Sequence, residues 1–158
     1  MQVIVNCGEA NELRSNAEMV PVQAATPEFF FFVLNPDGRN PIAASNATTP
    51  GLVGRPGLVP GAVFAPARPG DVVTLFMTGH GATNPAFPAG ELPDRAGSTV
   101  LPVTVSMGGI DLAPQDVLYA GVAPTLAGVY QLNIRIPATT LDGDISVRVR
   151  IEIGRAHV

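Results

Sequence analysis

The segment that most constrains the fold is residues 128–137, Gly-Val-Tyr-Gln-Leu-Asn-Ile-Arg-Ile-Pro. Tyr130, Leu132, Ile134 and Ile136 fall on one parity; Gln131, Asn133 and Arg135 fall on the other. A period of two describes a strand with one buried and one wet face, as in an antiparallel sheet. Pro137 cannot donate to a ladder and stops the run. The same arithmetic holds at 145–151, where Ile145, Val147, Val149 and Ile151 alternate with Ser146, Arg148 and Arg150. Both apolar sets are expected in a single core, because a one-residue slip would reverse every face.

Seventeen glycines and sixteen prolines punctuate the chain, and no window supports a long amphipathic helix. Apolar residues at 46% and charged residues at 14% exclude a disordered chain. Strands are expected at about 2–6, 18–24, 28–34, 41–45, 71–78, 100–107, 116–120, 128–136 and 145–152. Asn35-Pro36-Asp37-Gly38, Gly108-Gly109 and Leu141-Asp142-Gly143-Asp144 supply turn chemistry between them. The fold class this predicts is all-β.

Three stretches depart from that rhythm. Residues 1–25 read as the trailing hairpin of an upstream β module. Residues 26–151 read as the main sandwich, with a Gly/Pro-rich insertion at 50–69 whose Leu52, Val53, Leu58, Val59, Val63 and Phe64 must pack onto something. Residues 152–158 resemble the translation of a common sequencing adapter and are set aside. The last strand of the sandwich reads as missing, which leaves 145–152 at an edge. Two fates are open: filling by residues 2–6 or 18–24, the favoured expectation, or self-association. A separate N-terminal hairpin beside 29–32 competes with the first.

Four ordered motifs carry a family resemblance. They are Ala67-Arg68-Pro69-Gly70-Asp71-Val72-Val73 with Thr78-Gly79-His80-Gly81-Ala82-Thr83-Asn84-Pro85; residues 102–109; residues 118–124; and residues 128–137. Over about 66–151, and more loosely from 21, the chain resembles the uncharacterised Solibacter C-terminal domain family of large secreted bacterial proteins. The resemblance implies an immunoglobulin-like β-sandwich with Greek-key connections and an extracellular or cell-surface setting. It implies no catalytic residues. His80, where an apolar residue is expected, and the insertion at 51–63 depart from the family pattern.

The residues offer little chemistry. Cys7 is the only cysteine, so no internal disulfide and no Cys-based zinc site can form. His80 stands between two glycines; the other histidine, His157, lies in the discounted tail. None of the serines sits in a Gly-x-Ser-x-Gly elbow. With no lysine there is no phosphate-loop Lys. Asp142 and Asp144 could offer oxygens to calcium, but turn chemistry explains them, and a Ca²⁺ site needs six to eight ligands. A net charge of −4 gives no footprint for nucleic acid, and no apolar run spans a membrane. No catalytic, cofactor or metal residue is therefore expected. Asn46-Ala47-Thr48 matches a glycosylation sequon, incidental in a bacterial chain.

The four consecutive phenylalanines at 29–32 leave two readings: a strand buried on both faces, partly under the Gly/Pro insertion, or an apolar patch for a neighbour. Possible ligand or partner contacts are Phe87, Tyr119 and His80, with Tyr130 a further aromatic candidate. The expectation is a non-catalytic secreted or cell-surface structural or interaction module, with neighbouring domains of the same polypeptide as partners, and surface polysaccharide or protein as further ones. A carbohydrate-binding accessory module is the alternative, weakened by the lack of tryptophan. A hydrolase has no supporting constellation.

Overall fold

The computed structural model describes residues 1–88 and 91–152. They form an all-β protein; among them the one helical turn is a 3₁₀ turn at Pro114–Asp116. The strands are β1 (Ile4–Val5), β2 (Leu13–Arg14), β3 (Glu28–Phe29), β4 (Ala44–Asn46), β5 (Gly51–Val53), β6 (Phe64–Ala65) and β7 (Val72–Thr78). They continue with β8 (Thr83–Asn84), β9 (Ser98–Thr99), β10 (Val103–Met107), β11 (Ile110–Asp111), β12 (Val117–Val122), β13 (Tyr130–Arg135) and β14 (Val147–Ile151).

The large sheet runs β6-β5-β4-β7-β13-β12-β9-β8, with β3 pairing the end of β7 beyond β4. Its centre is the antiparallel pair β7–β13, registered Leu132 to Leu75 and Ile134 to Val73. A second sheet, β11-β10-β14, faces it. Val73, Leu75, Met77, Leu132, Ile134 and Ile136 from the first layer and Val105 from the second bury together, with Val147 and Val149 against them. Arg135 and Arg148 are exposed. The apolar parity of 130–136 thus shares one core with Val147 and Val149, while Ile145 and Ile151, both half-buried, lie outside that cluster. At ~25 cal/mol per Å² of apolar surface removed from water, each fully buried Leu or Ile contributes roughly 1.5–3 kcal/mol.

The turns follow their residues. Gly108 and Gly109 have φ of 59° and 86°, the two positive values that a two-residue type I′ hairpin needs, and they join Met107 to Ile110. In the 35–38 turn the Gly38 N–H donates to the Asn35 carbonyl at 3.0 Å.

Several expectations are corrected. The Gly/Pro stretch, where no strand is expected, contains two: β5 continues the sheet from β4, and β6 lies parallel to β5, pairing Leu52 with Phe64. Phe64 is buried and meets Phe32 edge-on at 4.9 Å between ring centroids. Only part of 28–34 is strand, with an isolated bridge from Phe31 to Ile42. Phe29 packs on the core, but Phe30 is exposed, so the run is not buried on both faces.

Residues 18–24 form no strand, and β1 pairs only with β2 in a sheet of its own. Neither N-terminal segment fills the edge beside β14, so the favoured expectation fails. The hairpin is separate, as its competitor held, but with nearly every side chain exposed. The physical reason is that β1 and β2 offer only two paired residues each, and the tether at 25–27 is held by the Thr26 N–H on the Gly79 carbonyl. Of the discounted tail, only Glu152 lies within the described residues; its N–H donates to the Pro102 carbonyl at 3.1 Å.

Candidate functional site

β7 runs into Gly79-His80-Gly81, where chain 24–27 crosses at close range. A Cβ on Gly79 would lie 1.9 Å from the Thr26 carbonyl oxygen, and one on Gly81 would lie 2.4 Å from that of Ala24. Both glycines have positive φ, 74° and 83°. Glycine is required twice over, for conformation and for space. The Thr26 N–H donates to the Gly79 carbonyl at 2.8 Å, and Ala25 is buried beneath the crossing.

That crossing encloses His80, whose side chain is 0% exposed. Its ring stacks on Tyr130, 5.2 Å between centroids and 17° between planes. The Tyr130 hydroxyl donates to the Gly81 carbonyl at 2.6 Å. Neither imidazole nitrogen has a hydrogen-bond partner among the described residues. Burial alone pushes the His80 pKa down to about 4, so the ring is neutral at pH 7. Burial raises the Tyr130 phenol for the same reason. The imidazole has no exposed surface in this conformation.

Phe87 and Tyr119 do come together, around Gly97. The Tyr119 hydroxyl accepts from the Gly97 N–H at 3.1 Å. It also faces the carbonyls of Val122 at 2.8 Å and Gly97 at 3.1 Å. The Phe87 ring covers the other side: a Cβ on Gly97 would lie 2.6 Å from its edge. Gly121 completes the cluster, since a Cβ there would lie 2.2 Å from the Gly97 oxygen and 2.5 Å from the Tyr119 hydroxyl. The Arg95 guanidinium lies 5.7 Å from the centre of the half-buried Phe87 ring. This cluster ties β12 to β9, and the Tyr119 hydroxyl spends its hydrogen bonds on backbone.

Sequence reasoning passed over one polar cluster. Asp71 Oδ2 accepts from the Arg68 N–H at 2.9 Å and from Asn46 Nδ2 at 2.7 Å. Asn46 Oδ1 in turn accepts from the N–H groups of Thr48 and Thr49, both at 2.9 Å. The Arg68 N–H first, then Asn46, hold the Asp71 carboxyl below the usual range. The sequon asparagine is therefore a structural brace between β4 and the start of β7. Asp beside Gly70 and two threonines after Asn46 are the capping chemistry that could have signalled it.

Among the described residues, no group of three or more His, Cys, Asp or Glu side chains is placed to hold a metal ion. No helix among them is long and apolar enough to cross a membrane. Two concave features lie among the described residues: a groove of about 390 Å³ between the sheets, lined by Pro27, Glu28, Phe29, Met77, Arg148, Val149 and Arg150, and one of about 450 Å³ between residues 99–105 and Leu112, Pro114, Val117 and Ala120. In comparisons with family models, curated proteins and solved structures, nothing matches this chain.

Proposed function

We propose that this chain is a non-catalytic structural or interaction module of a larger secreted or cell-surface bacterial protein, with an immunoglobulin-like, Greek-key sandwich that spaces or docks neighbouring domains. The observation that carries this reading is what the eligible side chains do. The Tyr119 hydroxyl faces three backbone groups, Tyr130 and His80 pack on each other under a backbone crossing, and Phe87 covers Gly97. Groups that a binding or catalytic site would present outward hold loops together instead. The resemblance to the Solibacter C-terminal domain family supports the same setting.

Carbohydrate binding, the alternative, narrows to Phe87 under the exposed Arg95, a single half-buried ring. Sugar platforms need flat, accessible aromatic faces, and this ring has one side on Gly97.

The test has two arms. Purified chain is assayed on a broad panel of ester, peptide and glycoside substrates, and the parent protein is probed with antibody on intact cells of the organism that encodes it. No turnover together with surface labelling is expected. Turnover abolished by a point substitution in this chain, or a parent protein found only inside the cell, overturns the proposal.

A further inference from the structure

β14 has one satisfied side and one open side. Gly108 N–H donates to the Ser146 carbonyl at 2.8 Å, and Glu152 N–H donates to the Pro102 carbonyl at 3.1 Å. The even positions of this strand therefore spend their backbone groups on β10, in the register Thr104 to Arg150 and Ser106 to Arg148. The N–H and C=O groups of Val147, Val149 and Ile151 point the other way, and among the described residues no strand pairs with them. The groove of about 390 Å³ lies along that side, with Pro27, Glu28, Phe29 and Met77 opposite Arg148, Val149 and Arg150. One more strand on β14 would take up the open groups and cover Phe29.

Two features say what fits there. A second β14 does not, because antiparallel self-pairing would set Arg148 and Arg150 against their own kind on one face. The hairpin β1–β2 does. Its register pairs Val5 with Leu13, and the Ser15 N–H donates to the Val3 carbonyl, so Val3, Val5 and Leu13 share a face. That face is bare: Val3, Val5 and Leu13 are 56%, 53% and 66% exposed. A two-stranded hairpin alone in water is marginal and gains by joining a sheet.

The charges also match. Residues 1–24 carry Glu9, Glu12 and Glu18 against Arg14 alone. Arg148 has no carboxylate at ion-pair distance among the described residues, where the ion pairs are those of Arg14, Arg95, Arg135 and Arg150. The hairpin stays out of its own groove, while its tether is hydrogen-bonded at Gly79.

We propose that the β1–β2 hairpin of a second copy of this chain adds to the open edge of β14, placing its Val3, Val5 and Leu13 face over the groove. This goes beyond the structural-module reading and stands independently of where the parent protein resides.

Sedimentation velocity on the full chain, from low to high micromolar concentration, tests it with two variants whose altered side chains are exposed. Leu13→Asp spoils the hairpin face and Arg148→Glu spoils the edge, while circular dichroism confirms that each remains folded. Wild type is expected to associate reversibly, and each variant alone to lose roughly tenfold or more in association. Mixing the two variants is expected to restore a heterodimer, because the Arg148→Glu chain keeps a sound hairpin and the Leu13→Asp chain keeps a sound edge. A wild-type chain that stays monomeric overturns the proposal, whether its own hairpin folds back or a different protein takes the edge. So do variants that associate like wild type, or a mixture that remains monomeric.

Discussion

His80 lies face to face with Tyr130, 5.2 Å between ring centroids, in a pocket where neither imidazole nitrogen finds a partner among the described residues. The folded state therefore holds this histidine neutral, with a pKa of about 4 against an ordinary value of 6.5. The unfolded chain takes up the proton first as pH falls. Stability from this group is complete above about pH 6.5 and is lost progressively toward pH 4, by on the order of 3 kcal/mol. Urea titrations at pH 7, 5.5 and 4.5 should show that slope, and His80→Leu should flatten it while keeping or raising stability at pH 7. An unchanged slope in the variant would assign the acid sensitivity to other groups. Asp71 acts in a lower window, because its depressed pKa gives stability that is present above the ordinary carboxylate value and disappears only as pH falls below it.

The crossing above His80 gives a second test. Gly79→Ala must place a methyl group 1.9 Å from the Thr26 oxygen at a φ of 74°, so both conformation and space oppose it. Its cost should exceed about 2 kcal/mol. Gly109→Ala is the control: φ is +86° but nothing lies within 4 Å, leaving only the backbone penalty of roughly 1–2 kcal/mol. Equal losses in the two variants by thermal or chemical denaturation would mean that the close approach is not rigid.

Tyr119→Phe should cost about 1–3 kcal/mol, because it removes the acceptor of the Gly97 N–H and leaves that group inside a packed cluster. Hydrogen exchange at Gly97 should accelerate with it. If neither quantity moves, the hydroxyl is not what ties β9 to β12.

These contrasts show why parts of the molecule were legible in sequence and parts were not. β7, β13 and β14 bury one parity more than the other, so the chain writes their burial as alternation, whereas β10 buries the adjacent Val105 and Ser106. β5, β6, β8 and β9 are two or three residues long, too short to show a period. They form because neighbouring strands already offer an edge, and that information is not local. Residues 18–24 have strand-like valines but form no strand; only Glu18 at their start pairs, its N–H donating to the Met1 carbonyl, and Pro21 withholds a donor. Tyr119, Phe87 and His80 stand out in sequence as side chains able to meet a ligand. Their neighbours Gly97, Gly121, Gly79 and Gly81 held the better clue, since glycine inside or just after a strand marks close backbone approach. What approaches it depends on tertiary structure.

The phenylalanine run offers a last test of how the insertion is anchored. Phe32 leaves the strand line, and its ring meets Phe64 of β6 edge-on, at 4.9 Å and 85° between planes. Phe64 is the most buried side chain of the Gly/Pro stretch, and Gly54 makes room for it, since a Cβ there would lie 2.9 Å from the Phe64 ring. The parallel pair β5–β6 has only two registered positions, so its ladder alone is a weak tie. Packing of the two rings should therefore hold the insertion. Phe64→Ala is expected to cost about 3–5 kcal/mol, as for other buried phenylalanines. Phe32→Ala should cost less, because Phe32 is only half-buried. The double variant should lose less than the sum of the two, with a coupling of about 0.5–1.5 kcal/mol. Strict additivity in that cycle would show that Phe64 is held by the sheet beneath it and that Phe32 merely lies alongside.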